Sequence, residues 1–429
     1  MQNPTESSSR IKIFYGWYIL AACFFLLFFQ AGARFSFGIM FKPMISQLGW
    51  DRASISLGFF LNMALFALTL SISGRLYDRY GPRWIILVAT LLLSIGYGCI
   101  AFINNLWEFH LYYGVLAAVG MGGAAVPLVA ALMSKWFEKN RGLVISLALS
   151  GNCVGQFVLV PVFSNAVFRF GWRASYLIIA LTIFLINTAL ALLVIRGNPE
   201  DLGLRPFSGA PSAHSRTDGQ PAHAVSDESD FSLKQAMGTA SFWLFLSVMF
   251  ICGSADSLVT AHLVPMATDA GISASAAADM LAWFGLLSMG GILVAGPVSD
   301  RVGHKTPMVL TFALRLALFV LIINRQDLVS FYIFATAFGF TFLVTAPLTT
   351  TLVGKLYGYS HVGLISGFIT MIHHMGGGFW TYMGGLAYDK TGSYRLSFVM
   401  SAVMAGLAVI GTVLISETRH RADRKRSAN

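Results

Sequence analysis

An all-α integral membrane protein, with twelve transmembrane helices in two pseudo-symmetric six-helix halves, is predicted by three features of this sequence. These are its composition, the spacing of its apolar runs, and one offset that recurs between its polar loops. Of 429 residues, 56% are hydrophobic and 11% charged, where a soluble chain carries roughly 45–50% and about 25%. A helix of about 20 apolar residues crosses ~30 Å of hydrocarbon while satisfying its own backbone polar groups. Such stretches occur at approximately 15–40, 52–76, 83–103, 107–134, 140–168 and 173–195, and again at 240–267, 276–299, 305–324, 328–354, 361–387 and 394–416.

The first stretch follows Arg10 and Lys12, is too long for a secretory signal and has no small-residue cleavage site, so it is expected to be a retained span. The long polar segment 197–239, rich in Pro, Ser, Gly, His and acids, cannot bury a core. It predicts three regions: residues 1–196 as an N-terminal half, 197–239 as a flexible linker, and 240–429 as a C-terminal half with a basic tail.

Threading the spans places 20 of the 29 Lys and Arg on the side of the termini and linker, including the terminal HRADRKR, and 7 on the other. Basic residues gather on the cytoplasmic side, so both termini and the linker are expected there, in a multi-pass protein of the cell inner membrane. The net charge of +10 is thereby assigned to topology, with the lipid bilayer and not nucleic acid as partner. Cys23, Cys99, Cys153 and Cys252 all fall inside apolar spans without metal-ligand spacing and read as small core residues.

The loop GRLYDRYGPR (74–83) returns as GPVSDRVGHK (296–305). Asp78 and Asp300, Arg79 and Arg301, Gly81 and Gly303, and Arg83 and Lys305 are each 222 positions apart, as are Arg173 and Arg395. One constant offset between matching loops predicts two parallel halves about an axis along the membrane normal.

GRLYDRYGPR resembles the signature loop of the major facilitator superfamily, with Pro82 where the pattern has Arg. YGWYIL and SFGIMF in helix 1 and KWFEKNRGLVISLALSG (135–151) are similar to its monocarboxylate transporter and oxalate:formate antiporter branch. The resemblance, from Tyr15 to Glu417, implies the major facilitator fold, helices 1 and 7 lining a central cavity, and transport of a small organic anion. One position departs from that branch: Ile292 stands where carriers of lactate or oxalate usually have a helix 8 arginine.

No phosphate-binding G-x-x-x-x-G-K-[ST] loop occurs, so gradients and not ATP are expected to drive transport, without cofactor or metal. No nucleophile constellation suggests an enzyme. GMGGAAVP (120–127) reads as small residues that let helices approach closely. Asp78, Arg79, Asp300 and Arg301, where loops meet helix ends, are candidate gating residues, able to cap a helix or pair across the halves.

A charge at the bilayer centre costs at least ~2.5–3.5 kcal/mol and is usually functional. Three lie deep within the spans: Arg34, Asp256 and Arg315. Arg34 and Asp256 are also 222 positions apart, so similar depth is expected, with each charge neutralised by the other or by water. Arg34, a planar fork suited to a carboxylate, is the candidate substrate anchor. Asp256 is the candidate proton-coupling group. Arg315, on a helix peripheral in the superfamily and matched by Leu93 in the repeat, is assigned a structural role. His373 and His374 in helix 11 lie about 100° apart, so one should reach the cavity. His373 is chosen for substrate binding and proton coupling, and Tyr113 on helix 4 as a further substrate-binding residue. His262 is placed at the outer end of helix 7, where a gate or cap role and substrate contact are both open.

The expected function is secondary active transport of a monocarboxylate-like anion with a proton by alternating access. The alternatives are efflux of a cationic or amphiphilic compound with Asp256 as counter-charge, and a transporter-like metabolite sensor. The topology is testable: an impermeant thiol reagent added outside intact cells should fail to label a Ser215→Cys variant. Labelling there would reverse the assignment.

Overall fold

The structure, a computed structural model, describes residues 14–139, 141–207, 231–358 and 361–415, and for Asp78 and Asp300 the backbone alone. The middle of the expected linker (208–230) and the basic tail (416–429) lie outside the described residues. The helices are α1 (Gly16–Leu48), α2 (Arg52–Tyr77), α3 (Arg79–Ile100), α4 (Leu106–Trp136), α5 (141–170), α6 (172–194), α7 (Ala240–Asp269), α8 (Ala274–Val302), α9 (Lys305–Asn324), α10 (Leu328–Tyr357), α11 (Val362–Thr391) and α12 (Arg395–Leu414). By length and apolarity ten segments among the described residues qualify as spans. Gly171 divides the longest with a φ of 78°, and the more polar α11 completes the set of twelve.

Helix boundaries follow local chemistry. Asp51, Ser273 and Asp327 cap α2, α8 and α10 by accepting backbone N–H bonds from Ser54, Ala276 and Ser330. Tight turns need positive φ, which glycine adopts without a Cβ clash. The repeat supplies it twice over: Gly49 and Gly271 (φ 69° and 85°) and Gly81 and Gly303 (φ 76° and 84°) are pairs at the 222 offset.

The central helices are α1 and α7, buried on nearly every face. They meet at Gly38, where an added Cβ would stand 3.1 Å from the Thr260 carbonyl oxygen. Gly38 and Thr260 are themselves repeat mates, so the two-fold axis passes through this contact. Small residues bring other helices equally close. Gly151 and Gly155 of α5 would collide with the Phe24 and Phe28 carbonyls of α1, Gly253 of α7 with the His373 carbonyl of α11, and Gly120 of α4 with α3.

The two sets of six helices join on the side away from the termini, here called the far side. There Gly385 of α11 packs on Arg52 and Ser56 of α2, and Gly378 on Phe60 and Met63. On the linker side the same helices separate, and added Cβ atoms at Gly74, Gly363 and Gly367 would meet nothing within 4 Å.

This packing predicts a contrast between glycines. Gly155→Val, whose Cβ would lie 2.1 Å from the Phe28 oxygen, should cost on the order of 2–3 kcal/mol by overpacking. Gly406→Ala, with nothing within 4 Å, should be neutral or gain up to about 1 kcal/mol of helix propensity. Unfolding of the purified variants in detergent measures both. Equal stabilities would refute the close α1–α5 approach.

Candidate functional site

One turn to the linker side of the α1–α7 contact, the chain places its intramembrane charges. Asp256 is buried on α7, and Arg315 reaches it from α9, its Nη2 lying 2.8 Å from Asp256 Oδ1. This contact is an ion pair and not an aligned hydrogen bond, since Oδ1 lacks a well-directed donor among the described residues. The other Arg315 donors are directed by the protein: Nε and Nη2 donate to the Thr341 hydroxyl and carbonyl at 3.0 and 3.1 Å, and Nη1 to Cys252 Sγ at 3.4 Å. The guanidinium carbon also sits 4.6 Å from the Phe338 ring centroid. Cys252 Sγ in turn lies 3.6 Å from Asp256 Oδ2.

The expectation that Arg34 and Asp256 neutralise each other is therefore corrected. Equivalent places in a repeat fix depth along the helix, but not which neighbour a side chain meets. Arg315, assigned a structural role on a peripheral helix, has a long side chain that spans from α9 to Asp256 on α7. Sequence reasoning also missed Thr341 and read Cys252 as simple core. The available signal was charge balance, because one buried acid and one buried arginine in the same six helices suit each other.

Arg34 has a different environment. Its carbonyl neighbour Ala33 accepts a hydrogen bond from the Tyr97 hydroxyl at 2.9 Å, which steadies α1 at this level. The guanidinium lies 5.2 Å from the Phe66 ring centroid, with Met63 Sδ at 3.8 Å. It is partly exposed and has no carboxylate partner among the described residues. Asp256, His373 and His374 are near enough to interact with it electrostatically.

The histidines of α11 each meet a residue that neighbours one of the two arginines. His373 Nε2 is 3.8 Å from Asp256 Oδ2, while the His374 ring meets Phe66 edge-on at 5.1 Å. Cys252, Asp256 and His373 bring one potential metal-ligand atom each within 4.8 Å of one another. The Arg315 cation already supplies positive charge to that cluster, so its chemistry is that of an ion pair. Tyr113 lies on a π-helical stretch, His110–Ala117. It is buried, with its ring stacked between Phe37 and Phe109 at 5.1 and 5.2 Å.

A second polar cluster closes the far side. Asp269 at the end of α7 accepts Lys42 Nζ at 2.6 Å and Arg52 Nη1 at 2.7 Å, both from the first six helices. Arg52 Nη1 also donates to the Tyr394 hydroxyl at 2.7 Å, and the Asp389 carboxylate accepts the Arg52 and Ala53 backbone N–H groups. His262 belongs here, its ring nitrogens 2.9 Å from the Tyr394 hydroxyl and 3.0 Å from the Thr381 carbonyl oxygen. Of the loop candidates, Arg79 and Arg301 are exposed and Arg79 lies over the Tyr80 ring at 5.2 Å. The side chains of Asp78 and Asp300 lie outside the described residues.

A repeated twelve-helix bundle, shut on one side and carrying polar groups at mid-depth, is the architecture of a membrane transporter. The chain belongs to the Major Facilitator Superfamily, whose family model matches residues 23–262 and 244–429. It is 26% identical over 423 residues to the uncharacterized MFS-type transporter YcxA of Bacillus subtilis (strain 168), covering 94% of this chain and 95% of that one. It is 24% identical to monocarboxylate transporter 13 of Rattus norvegicus (93% and 89% covered) and 22% to the oxalate:formate antiporter of Oxalobacter formigenes (95% and 93%). Among solved structures, an inward-facing, unoccupied bacterial homolog of the human lysosomal transporter Spinster matches with a TM-score of 0.72 at 16% identity, covering 94% and 97%. The protein is thus a multi-pass membrane transporter and not an enzyme.

The charge assignment predicts a specific energetic pattern. Asp256→Ala or Arg315→Ala alone should lose about 3–5 kcal/mol by leaving a buried charge unpaired. The double variant should recover at least ~1 kcal/mol of the summed loss, whereas Arg34→Ala and Asp256→Ala should add within ~0.5 kcal/mol. Denaturation of all five variants decides it, and coupling between 34 and 256 without coupling between 256 and 315 would contradict the geometry.

Proposed function

We propose that the protein is a secondary active transporter that moves a small organic anion with one carboxylate, together with a proton, across the inner membrane by alternating access. The observation that carries this reading is Arg34, a partly exposed guanidinium at mid-bundle with no carboxylate partner among the described residues. An unpaired cation in a poorly hydrated site favours an anion, and its fork matches a carboxylate's two oxygens. Similarity to monocarboxylate and oxalate:formate carriers agrees with a carboxylate substrate.

In this mechanism Arg34 anchors the anion, Tyr113 stiffens the wall behind it, and His373 stands between substrate and Asp256. With Nε2 3.8 Å from Asp256 Oδ2, His373 is placed to pass a proton to or from that carboxylate. The Lys42, Arg52 and Asp269 cluster holds the far side shut, and opening requires those ion pairs to part. Asp78, Arg79, Asp300 and Arg301 act at the opposite gate. The functional division is into 1–196, 197–239 and 240–429, with the linker and both termini cytoplasmic. Efflux of a cationic compound is the weaker reading, because Arg315 already occupies the carboxylate that would receive it. A sensor role is separated by transport itself.

Proteoliposomes supply the test. The wild type should accumulate a monocarboxylate against its gradient when the pH difference favours proton entry. The Asp256→Asn/Arg315→Gln double variant, which keeps the buried site neutral, should retain carboxylate counterflow but lose pH-driven accumulation. Accumulation equal to wild type would remove Asp256 from proton coupling, and absent counterflow in the wild type would remove the carboxylate reading.

A further inference from the structure

Where α6 ends on the linker side, the chain folds back against the α2–α3 turn. An added Cβ at Gly197 would stand 3.4 Å from Pro82 Cδ. Between these segments lies a cavity of about 390 Å³ whose polar lining includes Tyr80, Arg83, Lys135, Arg196, Asn198 and Asp201. Its three cations come from three separate segments: the start of α3, the last turn of α4, and the residue chain that leaves α6.

None of the three has a carboxylate partner among the described residues. Lys135 Nζ rests 4.7 Å from the Tyr77 ring centroid. Arg196 Nη1 donates to the Ile195 and Leu192 carbonyls at 2.9 and 3.3 Å, and its Nε and Nη2 have no hydrogen-bond partner among the described residues. Arg83 Nε is buried with no hydrogen-bond partner among the described residues, a state that costs free energy unless a ligand completes it. The one acid of the lining, Asp201, accepts the Asn198 backbone N–H at 3.1 Å. Even if Asp78 of the adjacent turn is counted as a second acid, the lining keeps an excess of positive charge.

The level of the cavity in the membrane is marked independently. Tyr80 and Trp84, beside Arg83, are 53% and 63% exposed, and Trp17 and Tyr18 on α1 are 42% and 50% exposed. Exposed Trp and Tyr at helix ends belong at the headgroup layer, where one end of the ring is apolar and the other wet. A basic cavity between helices at that depth meets phosphate groups of the same leaflet.

We propose that this cavity binds the phosphate of an anionic phospholipid headgroup, with Arg83, Lys135 and Arg196 as its cationic ligands. The bound headgroup would tie α3 and α4 to the segment after α6, and so brace the α2–α3 turn. The site does not depend on the identity of the transported substrate.

Native mass spectrometry of the purified protein, after mixing with equal amounts of phosphatidylglycerol and phosphatidylcholine in detergent, tests the proposal. The wild type should retain phosphatidylglycerol in preference by about tenfold or more. Arg83→Gln/Lys135→Gln/Arg196→Gln should bring that ratio close to one, while Arg424→Gln/Lys425→Gln/Arg426→Gln in the tail should leave it unchanged. Should the triple variant fail to fold, Lys135→Gln alone, at an exposed side chain, should lower the ratio severalfold. Inorganic phosphate separates the two sources of the same chemistry. Failure to displace the lipid assigns the site to a headgroup, and displacement at millimolar concentration assigns it to phosphate from either source. Undiminished preference in the cavity variants, or its loss in the tail variant, would overturn the proposal.

Discussion

The ion pair between Asp256 and Arg315 is the constraint on which the centre of this protein depends. A carboxylate and a guanidinium at hydrocarbon depth are each costly alone, and their contact at 2.8 Å neutralises both within one half of the bundle. Because Arg315 also donates to both oxygens of Thr341 and to Cys252, the pair ties α7, α9 and α10 into one unit. Its further consequence concerns the other half. With Asp256 satisfied internally, Arg34 at the equivalent position of α1 is left beside aromatic rings and a thioether, without a counter-ion among the described residues.

The repeat thus builds a symmetric frame with asymmetric chemistry. Gly38 and Thr260, 222 positions apart, touch at the axis, and the paired glycines place turns at equivalent positions in both halves. On that frame one half carries a closed electrostatic circuit and the other an open one. A transporter needs a site that accepts a charge and a site that can exchange one, and under the proposed mechanism His373 links the two. The far-side cluster around Asp269 adds the mechanical element, since its ion pairs cross between the sets of helices that must separate for that side to open.

Much of the frame was legible because it rests on local rules. Apolar runs of membrane-crossing length, glycine turns and the repeated D-R loops depend on neighbouring residues and on one offset. The depth of Arg34 and Asp256 was legible for the same reason. Their partners were not, because azimuth around a helix and the reach of a long side chain from a neighbouring helix are set by tertiary packing. Arg315 lost its place through the assumption that a peripheral helix keeps its side chains peripheral. The far-side cluster escaped because Lys42, Arg52, Asp269 and Asp389 stand near helix ends, where charges are common, and nothing local brings residues of α1, α2, α7 and α11 together. His262 was placed at the right end of its helix, but its bonds to Tyr394 and Thr381 come from α12 and α11.

Two arginines inside the bundle divide the work: the buried Arg315 neutralises Asp256, and under the proposed mechanism the partly exposed Arg34 receives the anion. The most direct measurement of this division compares binding of a monocarboxylate with binding of its uncharged amide, which has nearly the same shape. The wild type should favour the carboxylate by about tenfold to a hundredfold, the worth of a charge-assisted bidentate contact. Arg34→Gln should abolish that ratio, whereas the folded Asp256→Asn/Arg315→Gln protein should preserve it. Loss of the ratio in the double variant, with retention in Arg34→Gln, would reverse the roles and contradict the account.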